Sequence, residues 1–129
     1  MPTKPARILV VEDETFLVKI YSVKLKKEGF EVLIATDGEQ AVQMANEVKP
    51  DIILLDLILP KMNGFEALEK MRANPDLKKT PVIVLSNLGQ DEDIKRAEAL
   101  GATDYLVKAN FSIQEVIAKI RAVLGQKQP

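Results

Sequence analysis

The sequence predicts an α/β fold in which five β–α units, (βα)5, form a three-layer sandwich around a central five-stranded parallel sheet. Five short runs of β-branched and other apolar residues predict the strands. The residues of each run are continuously apolar and do not alternate between apolar and polar, as is typical of strands covered on both faces. The runs are residues 8–11, 32–34, 52–55, 82–85 and 105–107. Segments with apolar residues at helical spacing follow the runs, and they are residues 14–28, 38–48, 64–73, 91–100 and 113–124.

Residues with helix-capping chemistry stand at the ends of the predicted helices. Glycine follows the first, fourth and fifth segments and proline follows the second and third, as expected where helices stop; these residues are Gly29, Gly101, Gly125, Pro50 and Pro75. Capping-box spacing, in which the cap and the residue three positions later exchange hydrogen bonds, predicts three helix starts. The pairs are Thr36 with Glu39, Asn63 with Glu66, and Ser112 with Glu115.

A length of 129 residues fits one domain. We predict it over residues 7–124, with an N-terminal lead at 1–6 and a C-terminal tail at 125–129. Two strand orders are open at this point, the flavodoxin-like order 2-1-3-4-5 and a Rossmann-type order. The chain is too short for a closed eight-unit barrel.

Composition and charge exclude several function classes. The 18 basic and 19 acidic residues give a formal charge of −1, so bulk electrostatics do not favour nucleic acid or a membrane surface. The sequence contains no cysteine and no histidine, which excludes disulfides, thiolate chemistry, imidazole ligands and a phosphohistidine on this chain. Residues 1–7 lack the apolar core of a signal peptide and no run approaches a membrane span, so we expect a cytoplasmic protein.

Polar side chains stand where the predicted strands end. In open α/β sheets, ligands bind beyond the carboxyl ends of the strands. In the order 2-1-3-4-5, strands one, three, four and five are consecutive neighbours, so the residues at their ends share one edge. These residues are Glu12 and Asp13 after strand one, Asp56 after strand three, Ser86 and Asn87 after strand four, and Lys108 after strand five.

Three carboxylates at one edge favour binding of a divalent cation. At a separation of about 5 Å and an effective dielectric of about 20, each pair repels by about 3 kcal/mol. Lys108 alone cannot balance three acids. All-oxygen ligation without histidine or cysteine favours Mg²⁺ or Ca²⁺, and a few carboxylates with water suit octahedral Mg²⁺ better.

This set of groups also suits phosphoryl transfer. The Asp56 carboxylate can attack phosphorus and form an aspartyl phosphate. A divalent ion would neutralise the attacking and phosphoryl oxygens, Lys108 can hold another phosphoryl oxygen, and Ser86 can donate a hydrogen bond to a third. Asp56 is not a casual surface residue, because residues 57–59 after it are apolar.

Four segments together resemble the CheY-like receiver domain of two-component response regulators. They are ILVVEDE at 8–14, DIILLDLILPKMNGFE at 51–66, PVIVLS at 81–86 and GATDYLVK at 101–108. The resemblance runs from about residue 7 to residue 124 and implies the flavodoxin-like fold. An ordered set of motifs at family spacing is far more specific than a single short pattern.

The resemblance implies roles for the acidic residues. Asp56 would be the phosphoacceptor. Asp13 and Asp56 would ligate Mg²⁺ directly, Glu12 would act through water, and the backbone carbonyl of Ile58 would be the third protein ligand. The chain would assist its own phosphorylation and dephosphorylation without being an enzyme in the ordinary sense.

The resemblance also implies which residues bind the phosphoryl group, which protein donates it and which surface contacts a target. Ser86 and Lys108 would bind the phosphoryl group, and Tyr105 would be the switch aromatic that turns inward as Ser86 moves. The donor would be a phosphohistidine on a histidine kinase or histidine phosphotransfer protein. The fourth helix, fifth strand and fifth helix would contact a downstream protein target. We expect a stand-alone domain, monomeric or weakly dimeric on phosphorylation, with no direct contact to nucleic acid or membrane.

Four positions depart from the common family pattern. Ala109 replaces the proline whose peptide bond is cis in the family; a cis Lys108–Ala109 bond would cost about 2.5–4 kcal/mol, so either the fold holds that strain or the bond is trans. Asn87 replaces a small residue and narrows access to the phosphoryl site. Ile58 and Leu88 are apolar where other members carry groups that orient water, from which we hypothesise slow autodephosphorylation.

The residues also bear on three alternative functions. A pseudo-receiver, which binds partners without phosphorylation, is favoured by Ala109 and Asn87 and disfavoured by the intact set of acids, serine and lysine. A phosphatase of the haloacid dehalogenase type needs an aspartate two residues after its nucleophile, and that position is Ile58. A flavin module is disfavoured because its phosphate would meet Glu12 and Asp13 at the first turn.

Overall fold

The computed structural model describes residues 4–126, in which five strands alternate with five α-helices. The strands are β1 (Arg7–Val11), β2 (Glu31–Ala35), β3 (Ile52–Leu55), β4 (Val82–Ser86) and β5 (Asp104–Val107). The helices are α1 (Thr15–Lys27), α2 (Gly38–Val48), α3 (Gly64–Ala73), α4 (Asp91–Ala99) and α5 (Ile113–Val123). Short 3₁₀ turns occupy Pro75–Leu77 and Lys108–Asn110. The predicted alternation is confirmed; residues 1–3 of the predicted lead and 127–129 of the predicted tail lie outside the described residues.

The five strands form one parallel sheet in the order β2-β1-β3-β4-β5. This is the flavodoxin-like order, and the Rossmann-type alternative is not observed. Val11 at the end of β1 is paired with Ala35 of β2 and Leu55 of β3, and Ser86 at the end of β4 is paired with Val107 of β5. The carboxyl ends of β1, β3, β4 and β5 therefore lie side by side.

Each strand contributes to two cores, because successive side chains point to opposite faces of the sheet. Adjacent Val82 and Ile83 are both completely buried, which explains why the strand runs are continuously apolar. Helices α1 and α5 cover one face through Leu25 and Ile117, and α2 and α3 cover the other through Ala45 and Leu68. Burying each large aliphatic side chain contributes about 1.5–3 kcal/mol.

Two of the predicted capping pairs lie where the sequence placed them. Ser112 and Glu115 form a reciprocal capping box at the start of α5, with Glu115 N–H donating to Ser112 Oγ at 3.2 Å and Ser112 N–H donating to Glu115 Oε1 at 3.0 Å. Asn63 caps α3 by accepting from the Glu66 N–H at 3.0 Å. The Glu66 carboxylate accepts from the Asn63 side-chain amide and not from the Asn63 backbone N–H, so this pair is only half a capping box.

The third capping prediction was wrong by one residue. The N-cap of α2 is Asp37, whose carboxylate accepts from the Gln40 N–H at 2.7 Å, and not Thr36 paired with Glu39. The Gln40 side chain in turn accepts from the Thr36 N–H at 2.7 Å. Aspartate is at least as good a cap as threonine, and it takes the extended backbone conformation that the position requires.

Two glycines allow the loop between β3 and α3 to lie directly against neighbouring backbone. A Cβ atom at Gly64 would lie 2.4 Å from the carbonyl oxygen of Asp56, and one at Gly38 would lie 1.9 Å from the carbonyl oxygen of Met62. The Gly64 N–H also donates to the carbonyl of Leu57 at 2.9 Å. The first residues of α2 and α3 therefore fix the loop that follows the predicted phosphoacceptor.

No helix between residues 4 and 126 combines the length and the apolar character that crossing a bilayer requires.

Candidate functional site

The three predicted acids converge at the sheet edge. The Glu12 N–H donates to the carbonyl of Ala35 and the Asp56 N–H donates to the carbonyl of Val11, both at 3.0 Å, so the sheet ladder fixes the backbone of both acids. One carboxylate oxygen each from Glu12, Asp13 and Asp56 lie within 4.8 Å of one another. Glu12 and Asp56 are 3% and 5% exposed, whereas Asp13 is exposed, so the cluster has a buried floor and an open side.

Lys108 reaches the same cluster from the end of β5. Its Nζ donates to Glu12 Oε1 at 2.5 Å and to Asp56 Oδ2 at 3.0 Å. The Glu14 carboxylate lies 4.0 Å from the same nitrogen but is mostly exposed. The three converging acids and Lys108 carry a formal charge of −2, so a further cation is attracted to the site.

Opposing charges and burial act on the ionisable groups of the cluster. Burial raises the pKa of Glu12 above its usual value, the hydrogen bond from Lys108 works against this, and the charge of Asp56 adds to the effect of burial. Burial acts to lower the pKa of Lys108, but its hydrogen bonds to Glu12 and Asp56 outweigh burial and raise the pKa above the usual lysine value. Lys108 is therefore held in its charged form.

Glu12 is held by both of its carboxylate oxygens. While Oε1 accepts from Lys108, Oε2 accepts from the backbone N–H groups of Asp13 at 3.1 Å and Glu14 at 3.2 Å. These contacts fix the orientation of Glu12 and leave fewer free acceptor sites on its carboxylate.

The open side of the cluster is a cleft of about 290 Å³, and its lining residues are Asp13, Glu14, Asp56, Ile58, Asn87 and Lys108. The Ile58 N–H donates to Asp56 Oδ1 at 3.2 Å, so both oxygens of the Asp56 carboxylate are hydrogen-bonded. The Ile58 side chain is 54% exposed. The predicted phosphoacceptor thus sits at the base of a cleft that is open to an incoming phosphoryl group.

Ser86 is at the expected strand end, and its hydroxyl contacts the loop that follows the strand. The residue is completely buried, and its Oγ accepts from the Leu88 N–H at 3.4 Å. The next residue, Asn87, lines the cleft instead. Among the hydrogen bonds of residues 4–126, the Ser86 hydroxyl makes none to Asp56 or Lys108, so the predicted phosphoryl contact remains a prediction.

Tyr105 contacts the loop that follows Ser86. Its hydroxyl donates to the Leu88 carbonyl at 2.5 Å. Burial raises the pKa of Tyr105 to about 12, and the charges of Asp93 and Asp56 add to this effect. The predicted switch residue and Ser86 therefore bind the backbone of the same residue: Tyr105 binds the Leu88 carbonyl and Ser86 binds the Leu88 N–H.

The open question about the Lys108–Ala109 bond is resolved. No peptide bond within the described part of the chain is cis, so this bond is trans. Lys108 begins a 3₁₀ turn and still reaches Glu12 and Asp56. The departure at Ala109 does not displace the lysine from the acid cluster.

Sequence reasoning assigned no role to two residues that line the site. Glu14 lines the cleft, and its place directly after the acidic pair was the available signal. Tyr21 lies on α1 and lines a small cavity together with Glu12 and Asp56. Its spacing fits an ordinary core position, so the only signal in the sequence was a hydroxyl-bearing residue among the aliphatic residues of that helix face.

Comparison with known proteins agrees with this geometry. Residues 8–121 match the sequence model of the response regulator receiver domain. The chain is 36% identical over 118 residues to the DNA-binding dual master transcriptional regulator RpaA of Synechocystis, a match that covers 92% of this chain and 48% of that protein. The chain thus spans about half the length of the curated relatives it matches.

Two solved structures are similar along their whole length. The chemotaxis protein CheY4 of Vibrio cholerae has a TM-score of 0.86 at 31% identity, covering 92% of this chain and 98% of that one. The receiver domain of the sensor histidine kinase PA1611 of Pseudomonas aeruginosa, solved with magnesium coordinated in its active-site cleft, has a TM-score of 0.86 at 30% identity, covering 95% and 99%. The family resemblance and the CheY-like fold are confirmed, and the chain belongs to the response regulator receiver domain family of two-component signalling.

Proposed function

We propose that the domain at residues 7–124 accepts a phosphoryl group on Asp56 in a Mg²⁺-dependent reaction and that the modified domain changes its protein contacts. The observation that carries this proposal is the convergence of three carboxylates within 4.8 Å, with Lys108 Nζ 3.0 Å from Asp56 Oδ2. Lysine and metal-binding acids around one nucleophilic carboxylate are what phosphoryl transfer to aspartate requires.

The donor atoms present fit magnesium. All are oxygens, the open side of the cluster leaves room for water, and the formal charge favours a divalent ion. Asp13 and Asp56 would hold the ion directly, with Glu12 acting through water and the Ile58 carbonyl as a further ligand. When bound, Mg²⁺ would neutralise the acids and stabilise charge on the phosphoryl oxygens.

The protein groups have distinct parts in the transfer. An Asp56 oxygen forms a bond to phosphorus as the P–N bond of a phosphohistidine on the donor breaks, and the imidazole leaves with the electron pair. The phosphohistidine would lie on a histidine kinase or phosphotransfer protein, since residues 1–129 contain no histidine. Lys108, now shared between Glu12 and Asp56, would turn to the phosphoryl oxygens.

Leu88 would connect the modified Asp56 to the surface that contacts other proteins. Rotation of the Ser86 hydroxyl toward the phosphoryl group would release the Leu88 N–H, while Tyr105 holds the Leu88 carbonyl. Leu88 lies in the loop before α4, so the face formed by α4, β5 and α5 is the surface that changes. We propose that this face contacts a protein target and that the domain is monomeric or weakly dimeric when phosphorylated.

Phosphorylation of Asp56 is testable by intact mass. Incubation with Mg²⁺ and acetyl phosphate is expected to add the mass of one phosphoryl group, and omission of Mg²⁺ with EDTA is expected to prevent the gain. Asp56→Asn, which keeps the shape but loses the nucleophile, should not react. If the unaltered protein gains no mass from acetyl phosphate or from a phosphohistidine donor, the domain is a pseudo-receiver and the proposal is wrong.

The phosphorylated state is expected to be long-lived. Ile58 presents an aliphatic side chain at the cleft, and no polar group from Ile58 or Leu88 can orient an attacking water. The double variant Ile58→Asn, Leu88→Glu supplies such groups and should shorten the phosphoryl half-life by about tenfold or more. The control variant Ile58→Leu, Leu88→Ile should keep the original half-life. The half-life is measured from the loss of the phosphoryl mass over time. Equal half-lives for the unaltered protein and both double variants would contradict the prediction.

A further inference from the structure

Glu14 lines the cleft that contains Asp56. Its side chain is 64% exposed, and its Oε2 lies 4.0 Å from Lys108 Nζ. The same lysine nitrogen is much closer to Glu12 and Asp56, at 2.5 Å and 3.0 Å. Glu14 therefore interacts with the lysine through charge and not through a hydrogen bond. It is a further acid at the cleft, and one that is open to solvent.

The helix that begins after Glu14 does not account for the place of this side chain. Glu14 is the N-cap residue of α1, but its side chain makes no capping hydrogen bond. Its backbone N–H donates to Glu12 Oε2 at 3.2 Å, which ties the residue to the acid cluster. An acid here also interacts favourably with the helix dipole, but that interaction does not require proximity to Lys108. The exposed carboxylate is thus available to act on molecules that enter the cleft.

The charges of the cleft leave Glu14 in excess. The three converging acids and Lys108 carry a formal charge of −2, which one bound Mg²⁺ would bring to zero. The Glu14 carboxylate then adds a charge of −1 at the side of the cleft that an incoming molecule meets. Because this carboxylate is in contact with water, its effect acts through space and is screened by salt.

We propose that Glu14 is a specificity-determining residue that disfavours doubly negative phosphodonors, an inference that rests on the proposed function of Asp56. At neutral pH acetyl phosphate is a dianion, whereas phosphoramidate carries an ammonium on phosphorus and has a net charge of −1. In both reactions an Asp56 oxygen bonds to phosphorus. Acetate leaves with the electron pair of the P–O bond, or ammonia leaves with that of the P–N bond. Glu14 thereby favours donors with a P–N bond, the bond that a phosphohistidine also has.

The size of the effect follows from Coulomb's law with screening by salt. At a separation of about 7 Å in a water-like dielectric and at about 0.1 M salt, one negative charge disfavours a dianion about threefold and a monoanion less than twofold. The same charge attracts Mg²⁺, so its removal should weaken Mg²⁺ binding by a similar factor. A purely structural role of Glu14 would not move the affinity for a cation and the reaction with a dianion in opposite directions.

The kinetic test compares Glu14→Gln, which removes the charge and keeps the shape, with Glu14→Asp, which keeps the charge. Second-order rate constants of phosphorylation at saturating Mg²⁺ are measured by intact mass with acetyl phosphate and with phosphoramidate. Glu14→Gln should react about threefold faster with acetyl phosphate and less than twofold faster with phosphoramidate. Glu14→Asp should retain the original ratio of the two rate constants. Glu47→Gln, which removes an exposed acid near the end of α2 that precedes β3, should change neither.

Two further measurements complete the test. Titration with Mg²⁺ alone, followed by amide chemical shifts, should give an affinity about threefold weaker for Glu14→Gln, and raising the salt from about 0.05 M to about 0.5 M should reduce its gain in rate with acetyl phosphate. Equal acceleration with both donors, no acceleration, or an unchanged Mg²⁺ affinity overturns the role of Glu14, while the mass gain still supports modification of Asp56. If the unaltered protein gains no mass from acetyl phosphate, phosphoramidate or a phosphohistidine donor, the proposed function fails, and donor selection by Glu14 fails with it.

Discussion

Lys108→Met is expected to lower the free energy of unfolding by about 3–5 kcal/mol in magnesium-free buffer, because it leaves buried carboxylates without their counter-charge. The Lys108 ammonium now contacts both Glu12 and Asp56, which are nearly inaccessible to solvent. Methionine keeps much of the side-chain volume, so the loss is electrostatic. Urea unfolding followed by far-ultraviolet circular dichroism measures it.

Two comparisons distinguish the effect of losing the Lys108 charge at the acid cluster from the effect of losing a lysine elsewhere. Lys119→Met removes a half-exposed lysine that lies 3.9 Å from Asp104, and surface pairs of this kind contribute about 0–1 kcal/mol. Adding Mg²⁺ should restore part of the stability of Lys108→Met, since the ion supplies the missing positive charge. A Lys108→Met loss no larger than that of Lys119→Met would show that the cluster does not depend on this lysine.

Gly64→Ala is expected to destabilise the domain by about 2–3 kcal/mol and to disturb the site at the same time. The added Cβ would lie 2.4 Å from the Asp56 carbonyl oxygen and 2.6 Å from the Leu57 Cα, and both are backbone atoms that cannot move aside cheaply. The relaxation must shift Asp56, so the phosphorylation rate should fall in the molecules that remain folded.

Gly89→Ala is the matched control for this substitution. A Cβ atom there would lie 3.4 Å from a Val107 methyl group, which is within the range of an ordinary van der Waals contact. The free energy of unfolding should therefore fall by less than about 0.5 kcal/mol. Urea midpoints of the two variants give the comparison. Equal midpoints would show that the loop after β3 yields easily and does not fix the phosphoacceptor.

The sequence was sufficient for the fold because its local signals agree with one another. Continuous apolar runs such as 82–85 indicate strands covered on both faces, and Gly29 or Pro75 marks where helices end. The acid cluster was also predictable, since the strand order brings together residues far apart in sequence. The metal and phosphoryl roles of these residues remain predictions.

Features that depend on a competition between neighbouring groups were not predictable. The cap of α2 could be Thr36 or Asp37, and the outcome depends on backbone angles at the end of β2. The contact of the Ser86 hydroxyl with the Leu88 N–H depends on the path of the loop after β4, which the sequence does not specify. Tyr21 has a spacing that any aliphatic core residue would share, so its place beside Glu12 and Asp56 is visible only in the structure.

The glycine contacts around the phosphoacceptor make the two rims of the cleft mechanically unequal. On one rim the main chain abuts two helices with no space for even a methyl group, so it cannot give way. On the other rim, the Leu88 carbonyl is held by a single phenol. If Asp56 is modified as proposed, we therefore expect the loop that carries Leu88 to move more than the loop after β3, so that the change is directed toward α4.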